Sequence, residues 1–492
     1  MKRLSKVKKT LEELLEEALV PEDEHPYEVP DNWLWSKANI VCDVRDGTHD
    51  SPLYINDGIP LITSKNLNNG ILDFNNVNFI SIEDHNNISK RSKVDNGDIL
   101  FAMIGTIGNP VLVENIEYEF SIKNVALFKP RKKLVLSSYI YYYLNNKFYL
   151  DTLSNQSKGS TQKFISLGKL RGSLIPLPPQ QEQKRIVEKI KSMFIKLDEA
   201  KELIEEAREG FKKRKASILA KAFRGELTNK WREGHPDVES ADELLNMIQS
   251  NENISNEEID SPFDLSDKWE LVILGTISEL ITKGASPRWQ GINYTNDPSQ
   301  VLFITSENVR EGYLDLNEPK YLENFFNNKQ KRSILKKGDI LLNIVGASIG
   351  RAAIYDKDYD ANINQAVSLI RLNELIDGNY IKYFLNSTYA LLFYNQNKVD
   401  VARANLSLKD VSSIPIPLPS NEEQKEIVSI LDKLLKEESK IKELTQFEEQ
   451  IESLKKSILN KAFRGQLGTN DPENEKAIDL LKEVMEEKLV DN

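Results

Sequence analysis

Between Glu182 and Phe223, apolar residues recur at Ile186, Ile190, Met193, Leu197, Ala200, Ile204, Ala207 and Phe211, at steps alternating between four and three. Such spacing draws one apolar seam along an α-helix, which is satisfied when a second helix packs along it as in a coiled coil. The stretch follows the proline-rich Pro176–Pro179 and holds no proline of its own. Its 42 residues, at about 1.5 Å each, predict a helix of roughly 63 Å. A second seam runs through Ile427, Leu431, Leu434, Ile441, Leu444, Phe447, Ile451, Leu454 and Ile458, interrupted where Glu438 falls on it. Ahead of each helix the pattern changes. Short runs rich in Ile, Val and Phe alternate with clusters of Asn, Gly, Asp and Pro, as in DGIPLITSKNLNNGILDFNNVNFISIED (Asp57–Asp84). That is a pattern of strands and turns, with one helix expected at Ser137–Asn145.

The chain is written twice at a lag of about 240 residues. IPLPPQQEQKRIV (Ile175–Val187) returns as IPLPSNEEQKEIV (Ile416–Val428) with nine of thirteen positions identical. ASILAKAFRGEL (Ala216–Leu227) returns as KSILNKAFRGQL (Lys456–Leu467) with nine of twelve. Weaker echoes pair DNW at Asp31 with DKW at Asp267, ITSKN at Ile62 with ITSEN at Ile304, GDIL at Gly97 with GDIL at Gly338, and YIYYYLNN at Tyr139 with YIKYFLNS at Tyr380. A lag this long means two homologous domains rather than a solenoid.

The expected division is a helical arm at 1–30, a variable block at 31–180, a long helix at 181–226, and a linker with a short helix at 227–266. A second variable block at 267–420, a second long helix at 421–467 and a helical tail at 468–492 complete it. TLEELLEEAL near Thr10, ADELLNMI at Ala241 and AIDLLKEVM at Ala477 are alike, so the two ends of the chain are expected to meet. The fold class is α+β: two mixed α/β blocks and two long helices, which a pseudo-twofold axis would make antiparallel. Gly225 and Gly465 follow the last apolar residues of their helices and are expected as C-terminal caps. The GDIL repeats read as strands after tight turns.

Charge sharpens this picture. The net charge is −11, an apparent objection to binding nucleic acid. Asp31–Leu174 holds 16 basic and 14 acidic residues and Asp267–Pro415 holds 17 of each, so the excess acid lies outside the two blocks. No apolar run approaches the roughly 18 residues of a membrane span, and the opening MKRLSKVKKTLEELLEEAL is charged where a signal peptide is apolar. A cytoplasmic protein is expected. One cysteine, Cys42, allows no internal disulfide, and His25, His49, His85 and His235 show no metal-ligand spacing.

Motifs for catalysis are missing. The Pro178–Pro179 pair lacks the preceding Asn or Asp and the following aromatic residue of an amino-methyltransferase. GTIGNP (Gly105–Pro110) and GASIGR (Gly346–Arg351) carry neither a phosphate-loop GK[ST] nor the acidic partner of a dinucleotide site. Residues able to read base edges instead cluster at matching places. The first block has Ser64, Lys65 and Asn66, then Lys123 and Asn124, then Lys158, Gly159, Ser160, Thr161, Gln162 and Lys163. The second has Ser306, Glu307 and Asn308, then Asn364 and Gln365, then Arg403 and Asn405. Arg131–Lys133 and Lys329–Arg332 add charge that could hold phosphates. Loop Asn, Gly and Ser residues also simply make turns, and that reading stands beside the first.

The doubled LP-x-x-EQ-x-x-I signature, with KAFRGEL and KAFRGQL each following a variable block, resembles the specificity subunits of type I restriction-modification systems, over essentially the whole chain. The resemblance implies two target-recognition domains that bind double-stranded DNA, and no catalytic, cofactor or metal site in this chain. It also implies two modification subunits that bind S-adenosylmethionine and methylate adenine, and restriction/translocase subunits that use ATP and Mg. The divergence of the halves implies an asymmetric, two-part target. A helix of roughly 63 Å would cap the distance between the readers at about 18 base pairs. The helix flanks, with the basic run Lys212–Lys215, would dock the modification subunits; that run is equally well a solvated face. A coiled-coil interaction scaffold without DNA contact and a self-contained nuclease remain as alternatives.

Overall fold

The computed structural model describes residues 10–157, 163–249, 265–266, 268–398, 404–436 and 441–490. Lys158, Gly159, Ser160, Thr161, Gln162, Asp267, Arg403 and Glu438 lie outside the described residues, as do the side chains of Ile441 and Leu444. The chain forms two compact units. One comprises Met1–Ile204 with Thr445–Asn492, the other Glu205–Leu444. The boundary therefore falls inside the first long helix, which runs unbroken over Gln180–Phe223.

In the first unit, strands Cys42–Asp46, Val125–Pro130, Ile99–Ala102 and Gly108–Leu112 lie in that order in an antiparallel sheet. Its central strands read as continuous apolar runs because both faces are covered. Ile99, Phe101, Ala126 and Phe128 face a large core that includes helix Ser137–Leu144, while Leu100, Ala102, Val125 and Leu127 face a second core. That second core is shared with strand Ile59–Ile62, which pairs antiparallel to Asn78–Ile80 and parallel to Ser121–Ile122. The second unit repeats the plan. Strands Ser278–Lys283, Val367–Leu372, Ile340–Asn343 and Ala352–Ile354 form its main sheet, and Val301–Ile304 pairs parallel to Ala361–Ile363 beside it. Both GDIL segments are the expected strands, each after a glycine with positive φ: Gly97 at 92° and Gly338 at 96°.

The repeated motifs are latches. In each unit a two-strand ribbon joins the entry of the block to its exit, Leu34–Lys37 with Leu174–Leu177 and Glu270–Ile273 with Pro415–Leu418. The Glu-Gln pair that follows is buried. Glu182 accepts from Trp33 Nε1 at 2.8 Å, and Glu423 accepts from Trp269 Nε1 at 3.0 Å. Gln183 accepts from the Leu136 amide at 2.9 Å and donates to the Leu134 and Pro178 carbonyls. Gln424 does the same work with the Asp377 amide and the Pro419 carbonyl. The glutamine side chains thus satisfy backbone groups at the start of helices Ser137–Leu144 and Gly378–Leu385, where orphan amides arise.

Each KAFRG motif packs on the block that it does not directly follow in sequence. Phe463, from the second copy, packs edge-on to Tyr139 and Tyr143 in the first unit, with ring centroids 5.3 and 5.1 Å away. Phe223, from the first copy, packs on Tyr380 and Phe384 in the second unit at 5.5 and 5.0 Å. Each helix then ends as expected. Gly225 and Gly465 adopt φ of 73° and 69°, and the next residue's amide returns to the Lys221 or Lys461 carbonyl at 2.9 and 2.8 Å, the Schellman closure.

Within the first unit the helices run antiparallel. Asp198 meets Lys455 at 2.5 Å and Lys201 meets Glu452 at 3.5 Å, so numbering rises on one helix as it falls on the other. Within the second unit Leu219 and Phe223 share a core with Ile427 and Leu431. The second long segment is helical over Asn421–Lys436 and Ile441–Ala462. The terminal helices Leu11–Ala18 and Ala477–Val490 pack together in the first unit, so the described ends of the chain do meet.

The two buried glutamates differ in their cations. Arg232 forms an ion pair with Glu423. Near Glu182, the Arg185 guanidinium donates instead to the Thr469 carbonyl at 2.9 Å. Burial therefore dominates at Glu182 and raises its pKa above the ordinary 4.5. A raised carboxyl favours the protonated fold, so its contribution to stability is full below the ordinary value and is lost as pH rises through the raised one. Glu182→Gln keeps the acceptor for Trp33 and removes the ionisation. We expect the denaturation midpoint of the first unit to fall as pH rises from about 4.5 toward neutrality, and this decline to be reduced in Glu182→Gln. An identical pH profile in urea titrations of the two proteins would contradict the assignment.

Candidate nucleic-acid interface

Strand register decides which loops can act together. In the first unit Asp46 pairs with Ala126, Ala102 pairs with both Val125 and Gly108, and Ile62 pairs with Ile122. The loops leaving these strands, Gly47–Ser51, Met103–Ile107, Lys123–Asn124 and Thr63–Asn66, consequently emerge at one end of the sheets. The Gly105 amide donates to the Lys163 carbonyl at 3.0 Å and brings Lys163 to the same end. The second unit has the matching arrangement. Lys283 pairs with Ser368, Asn343 with Val367, Leu342 with Ala352, and Ile304 with Ile363. The Gly346 amide donates to the Ala404 carbonyl at 2.8 Å, placing Asn405 beside the glycine-rich loop.

Close backbone approach builds both clusters. A Cβ on Gly47 would lie 2.2 Å from the Ile122 carbonyl oxygen, and one on Gly284 would lie 1.7 Å from that of Ile363. Only glycine lets the chain pass there. The Lys123 and Asn364 backbone amides then donate hydrogen bonds of 2.8 and 3.0 Å to the Ile62 and Ile304 carbonyls.

The predicted residues separate into two groups. Lys65, Lys163, Gln365 and Asn405 are exposed; Ser64, Lys123, Asn124, Ser306 and Asn364 are half-buried at the same end. Lys123 Nζ donates to Ser51 Oγ at 2.7 Å, and Lys163 Nζ to Ser154 Oγ at 3.2 Å. Glu307 is exposed beside Lys320 at 2.8 Å, which lowers its pKa. Asn66 and Asn308 are a correction, because both are buried and their amides are committed to the turn. Asn66 Oδ1 accepts from the Thr63 amide and hydroxyl while Nδ2 donates to the Asp73 and Asn76 carbonyls. Asn308 repeats this with Thr305 and Asp315. They shape the loop that presents Lys65 and Glu307.

The extra basic runs do not all join the clusters. Arg131–Lys133 follows the far end of strand Val125–Pro130, where Arg131 Nε donates to the Ile40 carbonyl at 2.9 Å. Lys329 donates to the Gln290 carbonyl at 2.8 Å. In the run Lys212–Lys215, Lys212 meets Glu209 at 2.6 Å, Lys215 meets Glu311 at 2.5 Å, and the Arg214 guanidinium lies over Phe211.

One residue escaped sequence reasoning. His49 is 56% exposed in its side chain, with Nδ1 2.8 Å from Asn124 Oδ1 and Nε2 2.9 Å from buried Asp46. These two acceptors raise its pKa above 6.5, the Asn124 bond most and Asp46 next. An isolated histidine has no spacing signal; its neighbour Asn124 lies 75 positions away. Among the described residues no group of three His, Cys, Asp or Glu side chains could hold a metal ion.

A family-wide sequence model described as the type I restriction modification DNA specificity domain matches residues 30–208 and 266–452. The chain belongs to this family of specificity subunits. It is 31% identical over 323 residues to the type I restriction enzyme EcoBI specificity subunit of Escherichia coli, an alignment covering 65% of this chain and 64% of that relative. It is 27% identical over 456 residues to the EcoKI specificity subunit of Escherichia coli (strain K12), covering 89% of this chain and 90% of the relative. A solved chain from work on the structural basis of complex assembly and conformational transition of the type I R-M system shares the fold. There the TM-score is 0.65 at 19% identity, over 90% of this chain and 100% of the other. No helix among the described residues of this specificity subunit is long and apolar enough to cross a membrane.

Proposed function

We propose that this specificity subunit reads a bipartite, asymmetric DNA target, one half with each loop cluster, and that the length of the long helices sets the unread spacer. Methylation of adenine and ATP-dependent cleavage would reside in partner subunits: two modification subunits carrying S-adenosylmethionine, and restriction/translocase subunits using ATP and Mg. The observation that carries this reading is the repetition of one loop cluster with altered chemistry. Lys65 and Glu307 occupy equivalent places after matching Thr-Ser pairs, as do Lys123 and Asn364 after matching isoleucines. A cation and an anion, or a cation and an amide, cannot favour the same base edges. Two different half-sites follow.

A methylation map of the host genome, with and without an in-frame deletion of this gene, tests the proposal. Adenine methylation at one split, asymmetric motif is expected to disappear. An unchanged map in cells that express the partners would remove the assignment and leave an interaction scaffold as the better account. The same assay tests the spacer. Deleting one turn from both long helices removes about 5.4 Å, between the rises of one and two base pairs, so the spacer is expected to shorten by one or two base pairs with both half-sites retained. An unchanged spacer would exclude the helices as its determinant.

A further inference from the structure

The loops that begin at Gly47 and Gly284 share a pattern that base reading leaves unexplained. Ser51-Pro52-Leu53-Tyr54 in the first unit corresponds to Ser286-Pro287-Arg288-Trp289 in the second. The Trp289 residue is 90% exposed; Leu53 is 80% and Tyr54 47% exposed. A large aromatic residue left in water forgoes most of the stabilisation its burial would bring. Trp289 is also presented on a built turn. The Gln290 amide donates to the Pro287 carbonyl at 2.9 Å, the Ile292 amide to the same carbonyl at 3.1 Å, and Gly291 takes φ of 70°. Ile292 anchors that turn in a small core with Phe303, Leu322 and Phe326. In the first unit the Ile55 amide is fixed to the Phe79 carbonyl at 3.0 Å.

Both loops start, at Gly47 and Gly284, from the sheet end where the candidate reading loops emerge, and both carry a cation. Lys123 is bonded to Ser51 in one, while Arg288 precedes the ring and Lys329 is bonded to Gln290 in the other. An exposed ring alone would suit many partners. A ring with an ammonium or guanidinium tied to the same loop, twice over, suits a polyanion with flat faces. We propose that Trp289, with Tyr54 as its counterpart, stacks on the target duplex as an apolar wedge at a base step, adding affinity that does not depend on salt. Apolar side chains that enter a base step recover part of the unstacking cost through their own contact with the exposed base.

This inference rests on the proposed function and is tested with the full chain in its assembly, on a duplex carrying the mapped target. Trp289→Ala is expected to weaken binding roughly tenfold, the scale of one lost base–aromatic contact, with the slope of affinity against salt unchanged because no phosphate contact is removed. Trp289→Phe should keep most of the affinity. In the wild-type protein, DNA should shield tryptophan emission from acrylamide, and Trp289→Ala should lack that shielded component. Wild-type affinity in Trp289→Ala, or tryptophan emission equally quenched with and without DNA, would overturn the wedge while the proposed function stands. Loss of assembly with the partner subunits in Trp289→Ala, at unchanged DNA affinity, would overturn it in favour of a protein contact. A wild-type assembly that binds no duplex would overturn the proposed function itself.

Discussion

Phe223→Ala is expected to destabilise the unit formed by Glu205–Leu444, and Phe463→Ala the unit containing the first block, although each phenylalanine follows the other block in sequence. Both rings are fully buried. Phe223 packs between Tyr380 and Phe384, and Phe463 packs against Tyr139 and Tyr143. Truncating a buried phenylalanine costs about 3–5 kcal/mol, from lost transfer energy and the cavity left behind. That is a large fraction of the 5–15 kcal/mol that ordinarily holds a domain folded. Hydrogen exchange resolved by peptide checks the assignment. Phe223→Ala should accelerate exchange in strands Ile340–Asn343 and Val367–Leu372 and leave Ile99–Ala102 and Val125–Pro130 near wild type; Phe463→Ala should do the opposite. Faster exchange on the wrong side in either variant would refute the crossover.

Glu423→Ala should be comparably damaging for a different reason. The carboxylate accepts from Trp269 Nε1 at 3.0 Å and from Thr228 Oγ1 at 2.6 Å, and it pairs with Arg232, whose side chain is 16% exposed. Removing it takes the acceptor from the Trp269 indole and the counter-charge from the mostly buried Arg232. Breaking a buried pair in this way costs about 3–5 kcal/mol. Glu423→Gln keeps one acceptor and should lose less, so the urea midpoints should rank wild type, Glu423→Gln, Glu423→Ala. Equal midpoints for the alanine and glutamine variants would mean that the lost hydrogen bonds add nothing to the lost charge.

Much of the scaffold was legible because its determinants are local. The seam from Ile186 to Phe211 follows helical periodicity; its residues are buried or half-buried in the helix Gln180–Phe223. Gly225 and Gly465 could be identified as caps because a left-handed residue after a helix favours glycine. The repeated LP-x-x-EQ and KAFRG segments marked two homologous halves, yet their role was not legible. They hold the fold together from inside.

The candidate site was legible only in part. Residue type and loop position singled out Lys65 and Asn66 together without separating their roles. The structure buries the Asn66 amide in its own turn and leaves Lys65 exposed. Arg131–Lys133 looked as suitable as Lys163 until strand direction placed them at the opposite end of Val125–Pro130.

By itself, the sequence determined that there are two homologous α/β blocks, two long seamed helices, their glycine caps and the family to which the chain is similar, since each depends on periodicity or repetition along the chain. Only the tertiary structure decided that each KAFRG phenylalanine closes the core of the block it does not directly follow in sequence, that Asn66 and Asn308 face inward, and that His49 joins Asn124. The asparagines turn inward because the packed turn buries them, and the phenylalanine and histidine contacts join residues tens to hundreds of positions apart, where side-chain chemistry is the same for many candidate partners and geometry selects one.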